Sequence, residues 1–439
     1  MRITKKTLKL ILLTSISGIA MGFVSKAFLE SLAFVSILRE SNNYLLYFLP
    51  IVGMLTAFIY KNYGNGAQRG NNLIIDSIHR EAHVPLRMSI FTFLFTILTH
   101  LTGGSAGREG TAVQIGGTIT NKLAQWFKLD LHDKRILVMS GISAGFGSVF
   151  GTPLAGTFFG MEMCFVGKLS YEGLFPCFIA SYIANFVTEA LGTSHVVHTI
   201  LSVPQMNLYN LFVVVIASCM FGIAGKYFSI LIHTLKRFYA KVFENYILRA
   251  FLASIIILII MFAFNFTKYA GLSTWMIDAG FEGKVNIIDP FIKFLLTCLT
   301  LGAGFQGGEV TPLFDIGASL GGIIGQFTNI EPSFLAGLGL ISVFGCAANT
   351  PITTIMLGIE MFGTTATPFY IIAALISYYI TGHNGIYNSQ IIYTPKFRYL
   401  DNHSKKSIEE IKTKNVKINV ENNENDDIDN NDNEQDSNW

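Results

Sequence analysis

Apolar segments occupy almost the whole of this 439-residue chain, and no other feature limits its fold so strongly. They fall near 8–30, 44–60, 88–101, 136–163, 174–191, 207–233, 250–267, 290–303, 333–347, 351–364 and 367–381. Only 14% of the residues are charged, against roughly 25% in an ordinary soluble domain. The pattern predicts an all-α, polytopic membrane protein. Several segments are shorter than the ~20 residues that cross the hydrocarbon layer. These must be tilted, broken or re-entrant helices, which a membrane tolerates only where protein or a polar cavity surrounds the exposed backbone. Short, glycine-rich segments therefore point to a pathway.

The first run opens on "MRITKKTLKLILL" and continues past Gly22 without a small-residue cleavage site. It predicts a retained helix with a cytoplasmic N-terminus. The five cysteines, Cys164, Cys177, Cys219, Cys298 and Cys346, lie in apolar segments without metal-ligand spacing, so no metal and no cofactor is expected. From Asp401 the composition changes to Asn, Lys, Asp and Glu, with eight acidic and no basic residues from Glu421 onward. Residues 401–439 are expected to form a disordered, cytoplasmic acidic tail. Residues 1–400 then hold 26 basic and 18 acidic groups, the basic ones concentrated at Arg2–Lys9, Lys61–Arg69, Lys134–Arg135 and Lys226–Lys241. No phosphate-binding loop, nucleotide fingerprint or nucleophile triad is present. ATP-driven transport, enzymatic work and a nucleic-acid partner are accordingly not expected.

The chain repeats itself. "TPLAGTFFGMEM" at 152–163 aligns with "TPITTIMLGIEM" at 350–361, sharing Thr, Pro, Gly, Glu and Met at an offset of 198. "GREGT" at 107–111 aligns with "GGEVT" at 307–311 at an offset of 200. This divides the chain into a first membrane repeat at 1–200 and a second at 201–400. In transporters built from repeats, broken helices from both halves meet near the midplane and aim their N-terminal amides at an anion.

Both glycine-rich elements read as a flexible loop followed by a helix N-terminus, with unpaired N–H groups and the positive end of the helix dipole. Glu109 stands at the start of such a helix. Its carboxylate can take the place an anion would occupy and leave it on protonation, which makes it a gate that couples protons to anions. Ionisable residues inside a membrane are functional by default. Its neighbour Arg108 is expected to support the structure as a carboxylate partner.

"GNNLI" at 70–74, "GREGT", "GGEVTP" at 307–312 and "GIYNSQ" at 385–390, in this order, resemble the CLC chloride channel and transporter superfamily over roughly residues 10–395. The resemblance implies two inverted repeats per subunit, one anion pathway in each subunit, and a homodimer in the lipid of a plasma or inner membrane. It implies that Glu109 is the external gating glutamate and proton acceptor, and that Tyr387 directs its hydroxyl at the central anion. The expected anion-binding set is Asn71, Gly107, Gly110, Thr111, Gly308, Glu309, Val310, Thr311 and Tyr387.

Three departures matter. Chloride-type members carry Gly-Ser-Gly-Ile-Pro in place of "GNNLI", Pro at Thr111, and Gly-x-Phe-x-Pro in place of "GEVTP". Together these substitutions resemble the fluoride-type branch, CLC-F, whose members exchange fluoride for protons. The Asn71 amide brings two N–H donors, suited to a small, strongly hydrated anion. The internal glutamate of chloride exchangers is replaced by Met163, so the inner proton route differs from theirs. Glu162 and Glu360 are expected to make structural hydrogen bonds. The alternatives to fluoride/proton exchange are a gated chloride channel, a chloride/proton antiporter and a membrane scaffold that does not transport.

Overall fold

The computed structural model describes residues 5–80 and 82–413. It contains two sets of eight α-helices in the same order and of similar lengths. The first set is α1 (Lys5–Ser41), α2 (Leu49–Tyr63), α3 (Asn71–His79), α4 (Arg87–Leu101), α5 (Glu109–Trp126), α6 (Leu131–Phe150), α7 (Pro153–Glu162) and α8 (Leu174–Ala190). The second is α9 (Leu208–Val242), α10 (Tyr246–Ala263), α11 (Trp275–Phe281), α12 (Asp289–Gly302), α13 (Val310–Gln326), α14 (Pro332–Ala348), α15 (Pro351–Phe362) and α16 (Thr367–Thr381). Packing repeats as well. α5 lies on α6 as α13 lies on α14, and α1 lies on α6 and α8 as α9 lies on α14 and α16. Among the described residues, four helical stretches are long and apolar enough to cross a bilayer: α1, Asn43–Tyr63, α9 and α10. They are repeat mates, two from each set.

Small residues bring the central helices together. A Cβ on Gly116 of α5 would stand 2.1 Å from the Gly141 oxygen of α6, and one on Gly317 of α13 would stand 2.2 Å from the Gly339 oxygen of α14. Close backbone approach of this kind replaces the hydrophobic drive that lipid does not supply.

The recurring Thr-Pro…Glu-Met motif is explained by α7 and α15. Proline stands at the first position of each helix, where its fixed φ suits helix entry and its missing N–H costs nothing. Glu360, near the end of α15, accepts from the N–H groups of Leu154 and Ala155 at the start of α7, both at 2.8 Å. Glu162, at the end of α7, accepts from the N–H groups of Ile352 (3.1 Å) and Thr353 (2.8 Å) at the start of α15. Each carboxylate caps the other helix, so the repeat mates lie antiparallel. The two halves are therefore inverted relative to one another.

Lys9 Nζ donates to the Phe127 oxygen at 2.8 Å, and Lys6 pairs with Asp130 at 3.3 Å. The C-terminal end of α5 thus lies on the face where α1 begins, here termed the N-terminal face. On this side Phe165–Val166 (β1) pairs in parallel with Ile391–Ile392 (β2).

Order extends further than the composition of 401–439 suggests. Residues 401–413 are folded: Ile392 N–H donates to the Lys406 oxygen (3.0 Å), Lys405 N–H to the Ile392 oxygen (2.7 Å) and Ile408 N–H to the Gln390 oxygen (3.1 Å). Ile408 and Ile411 are buried with Val166, Tyr378 and Ile392. Two isoleucines three residues apart make an apolar stripe that anchors an otherwise polar segment. The rest of the expected tail, residues 414–439, lies outside the described residues.

Candidate functional site

The two glycine-rich loops meet. Gly107 N–H donates to the Gly308 oxygen and Gly308 N–H to the Gly107 oxygen, both at 2.7 Å, an isolated antiparallel bridge between the halves. Gly308 is so close to the start of α5 that a Cβ there would lie 2.7 Å from the Gly110 nitrogen. α5 runs from this junction to the N-terminal face, and α13, its inverted mate, runs to the opposite face. Two helix N-termini, each worth about half a positive charge, converge on one place.

Glu109 is fully buried. Its Oε2 accepts from the Thr311 N–H at 3.1 Å and from Thr311 Oγ1 at 2.5 Å. Its Oε1 accepts from Arg108 Nε at 3.2 Å. The carboxylate thus occupies the N-terminus of α13, in the other half of the molecule, and not the terminus of its own helix. Helix polarity explains this: Glu109 is the first residue of α5, and its side chain leaves the helix axis before the amides of α5 are in reach. Arg108 pairs with Glu109 itself.

The repeat mates Thr111 and Thr311 differ in use. Thr311 Oγ1 meets Glu109, whereas Thr111 Oγ1 meets Thr96 Oγ1 of α4 at 2.9 Å. On the α5 side, Asn71 and Glu309 approach Gly110: a Cβ there would lie 3.1 Å from Glu309 Oε2 and 3.3 Å from Asn71 Nδ2. Asn71 opens α3, while Glu309 directly precedes α13 and Val310 begins it. Tyr387 is fully buried and within electrostatic reach of Glu309 and Glu109. Asn71 Oδ1, Glu309 Oε2 and Tyr387 Oη are buried without hydrogen-bond partners. An orphan of this kind costs about 1–3 kcal/mol. Of these three, Tyr387 Oη can donate, whereas Asn71 Oδ1 can only accept. The Tyr387 hydroxyl and the Asn71 amide can donate to an anion; the Glu309 side chain can do so only as the neutral acid.

One cavity reaches the junction, and a second lies beside the C-terminal segment. The first, of about 270 Å³, reaches Glu109 and Thr311 and is also lined by Arg108, Phe150, His195, Phe314 and Glu360. Phe150 and Phe314, with ring centroids 4.8 Å apart, continue into a cluster with Phe146, Phe159 and Phe344. These are the rings composition alone could not single out among 37 phenylalanines. The second cavity, of about 520 Å³, opens beside α3 and the C-terminal segment and is lined by Arg69, Asp76, His79, Arg80, Ser389 and Glu410 among others. Met163 is fully buried, and its oxygen accepts from Gln390 Nε2 at 2.8 Å.

Inverted repeats of short helices whose N-termini converge on a buried glutamate define a polytopic membrane protein built to pass a small anion. The voltage gated chloride channel family matches residues 52–382, and the chain belongs to that family. A chloride/fluoride channel protein of Pseudomonas syringae pv. tomato is 39% identical over 389 residues, covering 87% of this chain and 86% of that protein. The crystal structure of a CLC-type fluoride/proton antiporter superposes with a TM-score of 0.85 at 35% identity, covering 89% of this chain and 99% of that one. A slow cyanobacterial Cl−/H+ antiporter shares the fold at a TM-score of 0.73 and 18% identity, over 85% and 94% of the two chains. The protein is a membrane-embedded CLC anion transporter.

Proposed function

We propose that this protein exports fluoride in exchange for protons, with Glu109 as both gate and proton acceptor. The observation that carries this is the seat of the Glu109 carboxylate, on the N–H and hydroxyl of Thr311 in the opposite repeat. An anion arriving at the α13 N-terminus competes for those donors. Protonation removes the charge that holds Glu109 there, so release of the gate and uptake of a proton are one event. The sequence departures at Asn71, Thr111 and "GEVTP", together with the likeness to a fluoride/proton antiporter, favour fluoride as the anion. Asn71, Gly110, Val310, Thr311 and Tyr387 would line its path through amide and hydroxyl donors, and Glu309 would join them when protonated; Gly107 and Gly308, also expected among the donors, spend their N–H groups on one another and would shape the junction instead.

Basic residues of the four clusters stand at the start of α1 (Lys5, Lys6, Lys9), the end of α2 (Lys61), the start of α6 (Lys134, Arg135) and the last turns of α9 (Lys236, Arg237, Lys241), which the helix directions put toward the N-terminal face. The positive-inside rule makes that face cytoplasmic, in a plasma or inner membrane. Repeat-built transporters of this family suggest a homodimer with one pathway in each subunit.

A second reading is a fluoride- or chloride-conducting channel, as the Pseudomonas relative is described. Purified protein in liposomes, followed with fluoride and chloride electrodes and a pH electrode, separates the two. Exchange predicts fluoride efflux with opposed proton movement. Chloride efflux as fast as fluoride efflux removes the fluoride assignment, and fluoride flux with no proton counterflow makes the protein a channel. Glu109→Gln should abolish proton coupling, and survival of coupled exchange removes Glu109 from its role. Asn71→Ser should lower the fluoride-to-chloride ratio, and an unaltered ratio removes Asn71 from the selectivity site.

A further inference from the structure

α13 carries a second buried carboxylate that the scheme above does not use. Asp315 stands four residues beyond Thr311, on the same face of the helix and about 6 Å along its axis. It is fully buried, and neither Oδ1 nor Oδ2 has a hydrogen-bond partner. This sets it apart from Glu162 and Glu360, whose oxygens are saturated by helix N–H groups. Its counter-charge is Lys293 of α12, also fully buried, with Nζ 3.5 Å from Oδ2. The aspartate does not position that ammonium. The oxygens of Gly271 (2.8 Å) and Leu272 (3.0 Å) do, from the loop before α11. With no donor of its own, the Asp315 carboxylate is kept ionised by the Lys293 ammonium, which other groups hold in place.

We infer that Asp315, balanced by Lys293, is a positioning residue whose negative charge sets how readily Glu109 leaves Thr311. The inference rests on the gating role proposed for Glu109. The helix terminus at Thr311 attracts the Glu109 carboxylate; Asp315, one turn further along the same face, repels it; Lys293 offsets that repulsion. The other charged groups facing Asp315 are Glu109 and Arg108 of α5. Arg39 of α1 acts on Lys293, Lys236 of α9 acts on Glu309, α14 carries no charged residue, and Asp278 of α11 has its side chain 59% exposed. Asp315 is thus the one acid on α13 beyond its first turn that faces the gate's seat.

The sign is fixed. In Asp315→Asn the repulsion disappears and Lys293 is left uncompensated, so the Glu109 carboxylate is held on Thr311 more firmly and a higher proton concentration is needed to release it. The pH of half-maximal fluoride flux should move about one unit toward acid, a tenfold change in proton concentration. In Lys293→Met the unpaired, buried carboxylate takes up a proton, so that variant and the double variant Lys293→Met/Asp315→Asn should both lie close to the wild-type midpoint.

The test is the pH profile of fluoride flux from liposomes containing the full-length wild type, these three variants and Glu109→Gln. An acid shift in Asp315→Asn that is reversed when Lys293→Met is added establishes the inference. An unmoved midpoint in Asp315→Asn, or a double variant displaced as far as Asp315→Asn, overturns it. Should Asp315→Asn fail to reconstitute, Asp315→Ser, a smaller neutral side chain, should give the same acid shift and carries the same decision. Glu109→Gln distinguishes the two levels: a profile that stays pH-dependent in that variant removes the gate itself, whereas a flat profile there with silent Asp315 removes only the present inference.

Discussion

At the scale of single residues, the contact between Glu109 and Thr311 decides most. Its shorter arm, hydroxyl to carboxylate at 2.5 Å, is charge-assisted, and such bonds contribute about 1.5–3 kcal/mol. Thr311→Val keeps the shape and the backbone N–H but removes the hydroxyl. On the gating role proposed for Glu109, its carboxylate should then leave its seat more easily, raising fluoride flux at neutral pH several-fold while the number of protons exchanged per fluoride falls. Paired fluoride and proton measurements in liposomes check this, and unchanged flux and stoichiometry would show that the hydroxyl is dispensable. Part of this contact was legible in the sequence. An acid among glycines between apolar runs marks Glu109, because charge in hydrocarbon is costly, and the repeat marks Thr311 as the mate of Thr111. Which threonine receives the carboxylate was not legible, since the partner lies 202 positions away and its choice depends on how the halves are turned.

At the scale of elements, the C-terminal segment is the part that composition misjudged. It is tied to the loop bearing Tyr387 by a pair of imidazoles. The Lys396 N–H donates to His383 Nε2 at 3.0 Å, which makes that nitrogen the acceptor and places the ring proton on Nδ1. His383 Nδ1 then donates to His403 Nδ1 at 2.9 Å. Neither ring can take a second proton without setting two donors against each other. Burial first, then the Lys396 ammonium and His403, bring the His383 pKa down from 6.5 to about 4. Burial and Lys406 lower that of His403. A histidine whose pKa falls on folding stabilises the fold fully above its unfolded value, and that contribution is lost as pH drops toward the folded value. Residues 396–413 should therefore loosen between about pH 6.5 and about pH 4. Hydrogen exchange of this segment against pH is the measurement. His403→Phe should weaken the variation of protection across that window, leaving the part that His383 carries through its own burial and Lys396, and variation identical to wild type would exclude the pair as its cause. The sequence concealed this because the histidines are 20 residues apart and only the pairing of Ile391–Ile392 with the chain near Lys406 brings them together. The Thr-Pro…Glu-Met motif was the opposite case: one short repeated string already contained the proline that starts each helix and the glutamate that caps its mate.

At the scale of the whole molecule, the inverted repeat supplies what neither half has alone. Each half offers one helix N-terminus and one acid, and the acid of the first is seated on the helix of the second. Gly107 and Gly308 hold that arrangement, since their reciprocal hydrogen bonds fix how far apart the two N-termini stand. A methyl group on Gly308 would meet the Gly110 nitrogen at 2.7 Å and those of Arg108 and Glu109 at 3.3 Å. All three are main-chain atoms of the helix start, so no side chain can rotate aside and the two halves must separate. Gly308→Ala should consequently act on both ends of the pathway at once, reducing fluoride flux at least tenfold and lowering thermal stability by about 1–3 kcal/mol, the usual cost of overpacking. Flux and melting of the purified protein with and without fluoride give the answer. A stable variant with wild-type flux would mean that the junction yields freely, and that the separation of the two helix termini does not set the anion's path.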